Sequence, residues 1–133
     1  MLKKLSYLHP ALYVASAKAR GRGVFTADAL APQTVIERAP VVVMPPDARP
    51  LLDKTLLHDY IFEWGEKAVE CGLALGYVSI YNHLYASNCE YEMNFKKAII
   101  TVRTVRAVAA GEELFINYNG DWNNEKKVWF DVS

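Results

Sequence analysis

Two short segments in the second half of the chain are dense in polar and aromatic side chains. Residues 81–89 read YNHLYASNC, and residues 111–118 read GEELFINY. The clearest strand of the sequence lies between them, because residues 98–105 (AIITVRTV) are rich in β-branched side chains. This arrangement favours a mostly β fold of short strands joined by tight turns.

The rest of the chain follows the same pattern of short elements. Prolines at positions 40, 45, 46 and 50 divide the residues after one predicted strand into short pieces. Residues 51–57 are the best helical stretch of the first half, and residues 121–130 predict a polar helix. Five further strands are predicted, at residues 11–14, 24–25, 34–39, 59–64 and 114–116.

Composition limits the class of protein. The 133 residues fit one compact domain, and 52% of them are hydrophobic, which is typical of a globular chain. Fifteen basic and fifteen acidic residues cancel. The chain therefore lacks the basic stripe of a nucleic-acid binder, and we expect no direct nucleic-acid binding. No apolar stretch is long enough to span a membrane, so we expect no membrane partner.

The chain has two cysteines, Cys71 and Cys89. Two cysteines alone cannot supply a four-ligand zinc site, and neither belongs to a CxxC pair, so we expect no metal. They could form one disulfide, but the favoured interpretation is two reduced, buried residues of a cytoplasmic protein. His9 and Pro10 interrupt the apolar N-terminal residues, so a secretory signal is not expected.

Gly21, Arg22 and Gly23 form a Gly-x-Gly turn. The turn lacks the third glycine, the long following helix and the βαβ repetition of a dinucleotide-binding fold, so a Rossmann fold is not expected. Glycines at these positions either let the backbone pass close to a ligand or form a plain hairpin turn.

Three landmarks occur in a fixed order: the Gly-x-Gly turn, the pair Asn82-His83, and Gly-Glu-Glu-Leu-x-x-x-Tyr ending at Tyr118. Together they resemble the SET-domain protein-lysine methyltransferases, whose signature motifs read Asn-His-(Ser/Leu)-Cys-x-Pro-Asn and Gly-Glu-Glu-Leu-x-x-x-Tyr. Asn88 matches the last residue of the first motif, and residues 60–63 (YIFE) resemble the Tyr-Leu-Phe-Asp strand of several members. The resemblance is to a minimal form without zinc-binding pre-SET or post-SET flanks.

The resemblance implies a single SET domain over residues 1–133, with a core at about residues 12–119 and a C-terminal tail at residues 120–133. The implied fold class is mostly β (β-clip), with short twisted sheets around a pseudoknot-like core and few short helices. In that core, the segment before Tyr118 passes under the Asn82 loop. Trp122 and Trp129 of the tail are candidates to close over the bound cofactor or, equally, core anchors.

The implied activity is methyl transfer from S-adenosylmethionine to the ε-amine of a lysine in a protein, with a histone or histone-like substrate as the family-level expectation. Tyr118 is the implied catalytic residue. The implied lysine channel has walls from Tyr60, Tyr81 and Ile116, with Tyr13 more distant. The residues implied to bind the cofactor are Gly21, Arg22, Gly23, Tyr81, Asn82 and His83.

The chemistry of Tyr118 favours positioning over proton transfer. Methyl transfer needs a neutral amine, whereas a free lysine has a pKa near ~10.4, so the site must lower it by desolvation and by the sulfonium charge. A phenol is rarely ionised at neutral pH, which makes Tyr118 a poor general base. Glu112 and Glu113 are adjacent on a predicted strand and point to opposite faces, so we assign them structural roles.

Four positions depart from the family pattern. Within the first motif, Tyr85 replaces the usual cysteine and Ser87 replaces the proline. Ser79 stands where an arginine often precedes that motif. Ile116 stands where many members carry the Phe or Tyr that controls how many methyl groups are added, so the product is not predicted. These departures leave open an alternative, a non-catalytic SET-like module that binds a protein or peptide.

The expected partner is a protein that presents a lysine. The oligomeric state is left open, with a homodimer as one of the states. We expect a cytoplasmic location if the source is bacterial, and a nuclear or host-nuclear location if it is eukaryotic or viral.

Overall fold

The structure is a computed structural model that describes residues 4–118. The predicted helix at residues 121–130, with Trp122 and Trp129, lies outside the described residues. Within them, ten strands dominate and the helical pieces are short. One α-helix, α1, covers Arg49–Leu52. Single 3-10 turns cover Lys18–Arg20, Pro46–Ala48 and Leu56–Asp59. The strands are β1 (Tyr7–Leu8), β2 (Leu12–Ser16), β3 (Arg22–Thr26), β4 (Val35–Met44), β5 (Ile61–Trp64), β6 (Glu70–Ala74), β7 (Asn82–His83), β8 (Cys89–Asn94), β9 (Ile99–Thr104) and β10 (Glu113–Ile116).

The strands form two sheets. The larger has the order β5-β6-β4-β9-β8, with β1 also paired to β4, and the smaller has the order β2-β3-β10-β7. The pair β7 and β10 is parallel, with Asn82 opposite Phe115 and His83 opposite Ile116. The two polar segments of the sequence are therefore hydrogen-bonded neighbours, although about thirty residues separate them along the chain.

One apolar core draws residues from both sheets. Its fully buried members include Val24 of β3, Ile36 of β4, Ile100 of β9 and Leu114 of β10. Leu114 alternates along β10 with the half-buried Glu113 and Phe115, as a half-buried strand requires. The core fixes β10 against β3 and β7, which positions the residues at its C-terminal end.

β4 continues through Pro40, whereas the sequence predicted that this proline would begin a series of breaks. Pro40 lies opposite Ile99 of β9, at the last position where β4 pairs with β9. The next residue, Val41, pairs with Ala74 at the end of β6. The carbonyl of Pro40 accepts from the backbone N–H of Leu75 (2.9 Å), so its nitrogen faces the same side, just beyond the last paired residue of β6. The missing N–H falls at the end of a ladder, where a proline is tolerated.

The predicted helix at residues 51–57 is two separate turns. α1 ends at Leu52, and Thr55 has an extended backbone and accepts from the N–H of Leu57 to begin a new 3-10 turn. Leu51 and Leu56 are 67% and 76% exposed. Because the apolar side chains of this stretch have no core to pack against, nothing stabilises a longer helix.

Candidate active site

Asn88 joins the two polar segments. Its side chain is 1% exposed and makes three hydrogen bonds to the residues of the second segment. The amide Nδ2 donates to the carbonyl of Glu113 (2.8 Å) and to the carboxylate of Glu112 (3.0 Å), and Oδ1 accepts from the N–H of Phe115 (2.7 Å). A single asparagine thus holds the strand that leads to Tyr118.

Asn82 makes a second connection on the other side of the same strand. Its Nδ2 donates to the carboxylate of Glu113 (2.8 Å) and to the carbonyl of Arg22 (3.0 Å). Glu112 instead bonds Asn88 and lies 3.4 Å from the guanidinium of Arg106. The two glutamates point in opposite directions and hold different parts of the chain, which agrees with their predicted structural roles.

Gly23 lies against this second connection. A Cβ there would be 2.5 Å from Oε2 of Glu113 and 3.0 Å from Nδ2 of Asn82. The glycine therefore makes room for a bond between two side chains of the protein, whereas the sequence left open either room for a ligand or a plain hairpin turn. Gly21 has a different requirement, because its φ of +75° is a conformation that side chains disfavour, and no atom lies within 4 Å of its Cβ position.

Tyr118 lies at the end of β10 with its backbone and its hydroxyl held. Its N–H donates to Nδ1 of His83 (3.0 Å), and its carbonyl accepts from the hydroxyl of Tyr91 (3.2 Å). Its own hydroxyl donates to the backbone carbonyl of Tyr81 (2.8 Å). Burial, and to a lesser degree the neighbouring Tyr60 and Tyr91, raises the pKa of Tyr118 to about 12. The phenol is therefore protonated at neutral pH, as positioning requires and as a general base does not.

His83 is buried beside Tyr118. The two ring centroids are 5.1 Å apart, and the ring of Tyr85 meets His83 edge-on at 4.5 Å. Burial lowers the pKa of His83 below its ordinary value of 6.5. A neutral ring agrees with the hydrogen bond, because Nδ1 must be unprotonated to accept from Tyr118.

A cavity of about 780 Å³, within the size range of sites for small molecules, is lined in part by Tyr118. Five of the residues predicted from sequence lie at this cavity: Gly21, Arg22, Tyr60, Asn82 and Tyr118. The prediction did not include five others that line it: Ser16, Arg20, Asp59, Ser79 and Ile80. Two of these five residues could have been found from the sequence. Arg20 lies in the basic turn at residues 18–22, and Asp59 directly precedes Tyr60.

The structure places two predicted channel residues elsewhere. The ring of Tyr81 is fully buried, and its hydroxyl donates to the carboxylate of Glu37 (2.9 Å) inside the protein. Ile116 is also fully buried and belongs to the apolar core. Neither side chain lines the cavity, because both are buried in the apolar core. Tyr81 contributes to the site through its backbone carbonyl, which accepts from the hydroxyl of Tyr118.

The chain matches the family model of the SET domain over residues 21–119. The chain belongs to the SET-domain family. A histone-lysine N-methyltransferase of Schizosaccharomyces pombe, specific for H3 lysine-37, is 30% identical over 129 residues, which cover 96% of this chain and 82% of the relative.

Solved SET domains share the fold. A candidate histone methyltransferase of Plasmodium falciparum has a TM-score of 0.67 at 24% identity, over 86% of this chain and 98% of that chain. The polycomb repressive complex 2 of Chaetomium thermophilum, bound to S-adenosylmethionine, has a TM-score of 0.71 at 18% identity, over 83% of this chain and 15% of that chain. The mostly β SET fold and the protein-lysine methyltransferase predicted from sequence are confirmed.

The cavity of this SET domain suits S-adenosylmethionine by its size and by its charges. Arg20, Arg22 and Asp59 bring both signs of charge to the lining, and the cofactor carries a carboxylate together with ammonium and sulfonium groups. Gly21 leaves open space beside its backbone. Residues 4–118 hold no group of three or more His, Cys, Asp or Glu side chains that could bind a metal, and the expectation of no metal stays a prediction.

The departures from the SET pattern have local explanations. The hydroxyl of Ser79 lies at the cavity and donates to the carbonyl of Tyr60 (2.7 Å), so it fixes a wall where an arginine is usual. Ser87, in place of proline, is buried and donates to the carbonyl of Cys89 (2.7 Å). The carbonyl of Tyr85 accepts from the side chain of Asn117 (3.0 Å). Of these three bonds, the one between Tyr85 and Asn117 connects the first polar segment to the residues that lead to Tyr118.

The remaining predictions concern cysteines and membranes. Cys71 and Cys89 are both free and buried, as predicted, and burial raises the pKa of the Cys89 thiol to about 12. None of the helices found between residues 4 and 118 has the length and apolar character needed to cross a membrane.

Proposed function

We propose that this SET domain transfers methyl groups from S-adenosylmethionine to a lysine of histone H3 or of a similar basic protein tail. The observation that carries the proposal is the placement of Tyr118, whose hydroxyl bonds the carbonyl of Tyr81 at the edge of a cavity. The relative from S. pombe, which is specific for H3 lysine-37, supports the substrate class.

The cofactor supplies an electrophilic methyl group when it is bound. Gly21, Arg22 and Asn82 would hold it from one side of the cavity, with Arg20 close by. His83 supports this arrangement without lining the cavity, because it bonds the backbone of Tyr118.

Tyr118 would orient the amine of the incoming lysine. Its proton is committed to the carbonyl of Tyr81, which leaves the oxygen lone pairs to accept from the amine. Because the pKa of Tyr118 is about 12, the residue stays neutral and removes no proton. The partly buried cavity lowers the pKa of the lysine by desolvation, which favours the neutral amine that reacts.

Tyr60 and Asp59 would meet the substrate peptide. Tyr60 is half-buried at the cavity and is close enough to Tyr118 to raise its pKa, so its ring is placed to form a wall for the methylene stem of lysine. Asp59 is exposed and carries the carboxylate of the lining. A negative charge there would attract a tail rich in lysine and arginine.

The proposed substrate indicates where the protein acts and which kind of partner it binds. A histone substrate favours a nuclear location in a eukaryotic or viral context, and a histone-like protein favours the cytoplasm of a bacterium. We propose a protein partner and no nucleic-acid partner, on the balanced charge of the chain.

The test is a methylation assay with tritiated S-adenosylmethionine and overlapping peptides of histone H3. Each labelled peptide is then remade with its lysines replaced one at a time by arginine, and the methylated lysine is identified by mass spectrometry. We expect label in a small number of peptides and a loss of roughly 100-fold or more in kcat for Tyr118→Phe, since the variant loses the oxygen that orients the amine.

Tyr13→Phe is the matched control. Tyr13 also carries a phenol, but it is exposed and stacks on Phe25 away from the cavity, so its kcat should stay within twofold of the wild type. The affinity for S-adenosylmethionine, measured by calorimetry, distinguishes a methyltransferase from a non-catalytic SET-like module. A folded protein that binds S-adenosylmethionine and labels no peptide or protein would contradict the proposal. Absence of cofactor binding, with peptide binding intact in Tyr118→Phe, would favour the non-catalytic module.

A further inference from the structure

Glu37 is a carboxylate inside the apolar core. It lies near the start of β4, it is 2% exposed, and Tyr81, whose hydroxyl bonds it, belongs to the apolar core. A buried carboxylate is destabilising unless hydrogen bonds compensate for the lost water. None of the steps proposed for methyl transfer uses this residue directly.

Two donors hold the carboxylate. The hydroxyl of Tyr81 donates to Oε1 (2.9 Å), and the backbone N–H of Tyr77 donates to Oε2 (2.7 Å). Burial raises the pKa of Glu37, and these two bonds oppose the shift. The Cβ that any other residue would have at position 76 would overlap Oε2, so Gly76 leaves space for the carboxylate. The chain therefore supplies the carboxylate of Glu37 with two hydrogen-bond donors and with the space that it occupies.

Tyr81 connects this buried group to the active site. Its side chain is fully buried and bonds Glu37, while its backbone carbonyl accepts from the hydroxyl of Tyr118 (2.8 Å). The same residue therefore bonds β4 at one end and the catalytic hydroxyl at the other. A shift of the Tyr81 ring would move the carbonyl that sets the direction of the Tyr118 hydroxyl.

We propose that Glu37 is a positioning residue for methyl transfer, which acts through the Tyr81 hydroxyl to fix the carbonyl that orients Tyr118. The inference rests on the proposed function. It assigns a catalytic effect to a residue that has no contact with the cavity, and it explains why a tyrosine hydroxyl is buried next to a carboxylate in the core.

The experiment compares Glu37→Leu, Tyr81→Phe and the double variant. Glu37→Leu removes the acceptor and Tyr81→Phe removes the donor of the bond between the two side chains, and both variants retain the carbonyl of residue 81. We expect kcat to fall about tenfold in each, with KM for S-adenosylmethionine within twofold of the wild type, because orientation is lost and the cofactor contacts are kept. The double variant should fall no further than the singles, since both remove the same interaction.

Tyr77→Phe is the matched control. It removes the hydroxyl of a tyrosine that bonds the carboxylate of Glu37 through its backbone N–H, and the substitution leaves that N–H in place. Its kcat should stay within twofold of the wild type. Urea unfolding of every variant shows whether it is fully folded under assay conditions, so that a lower folded fraction is not read as a lower kcat.

A readout without turnover separates this inference from the proposed function. With tyrosines labelled at Cζ by carbon-13, the resonance of Tyr118 should shift in Glu37→Leu and in Tyr81→Phe and should stay in place in Tyr77→Phe. That pattern supports the positioning role even if no methylation is found. Additive losses in kcat, or a Tyr118 resonance that both variants leave unchanged, would overturn it.

Discussion

The two sides of Tyr118 are built differently. On the buried side, which we call the framework, His83, Asn88 and Glu113 form hydrogen bonds that tie the two polar segments together, and Asn82 bonds Glu113 while it also lines the cavity. On the open side, which we call the rim, the cavity is lined by residues of the Ser16–Arg22 turn, by Asp59 and Tyr60, and by Ser79 and Ile80. The framework fixes a geometry before any ligand arrives, and the rim offers surface and charge for the ligand. Substitutions in the framework should therefore cost stability, and those in the rim should cost binding.

Asn88→Ala should have the largest effect on stability. It removes three hydrogen bonds and leaves the N–H of Phe115 without its acceptor in the interior. We expect a loss of about 3 kcal/mol in the free energy of unfolding, measured in urea. Asn94→Ala is the control, because its exposed side chain accepts one bond from Lys97, and it should lose under about 1 kcal/mol. Equal losses in the two variants would mean that the framework is no more critical than a surface turn.

Gly23→Ala should come next, at about 2 kcal/mol, because the new methyl group overlaps the carboxylate of Glu113. The same substitution in a Glu113→Ala background should cost much less, since the overlapping atoms are gone. A double-mutant cycle in urea measures this coupling. If Gly23→Ala costs the same in both backgrounds, the close approach to Glu113 is not what requires glycine at this position.

His83 should make stability depend on pH, with a smaller effect than either of these substitutions. Its pKa is lowered in the folded state, so the unfolded chain binds a proton first as the pH falls below 6.5. The stabilisation is fully present above pH 6.5 and is lost as the pH falls toward the lower pKa of the folded protein. His83→Gln keeps an acceptor for Tyr118 without the titration, so urea unfolding between pH 7.5 and 5 should show a flatter dependence. An equally steep dependence in the variant would assign it to another group.

The framework was easier to predict from sequence than the rim. Asn82, Asn88, Gly111 and Tyr118 stand at family positions, and their spacing identified the fold and the reaction. The rim depends on which side chains the folded chain brings together. Tyr81 shows the difference, because its place next to Asn82 and His83 suggested a wall of the site, while its ring is buried in the core and its hydroxyl bonds Glu37.

Secondary structure shows a similar division. β9 was predicted because its β-branched residues carry a local signal. β8 was missed although Cys89, Tyr91 and Met93 alternate with polar residues, a period of two that is typical of a half-buried strand. β6 had a weaker signal, since Gly72 interrupts it. That glycine makes room for Trp64 and Val41, a requirement that only the packed structure reveals.

Asp59→Asn should have the smallest effect on stability and should test the rim. Asp59 is exposed at the end of a 3-10 turn, so the free energy of unfolding should change by under about 0.5 kcal/mol. If its carboxylate attracts a basic peptide, KM for the methylated peptide should rise several-fold, and the rise should shrink at high salt as screening weakens the attraction in the wild type. Asp47→Asn is the matched control, because Asp47 is equally exposed and lies outside the cavity lining. A change in stability without a change in KM would mean that Asp59 has a structural role, as the framework residues do. It would also mean that the charge of Asp59 does not attract the substrate.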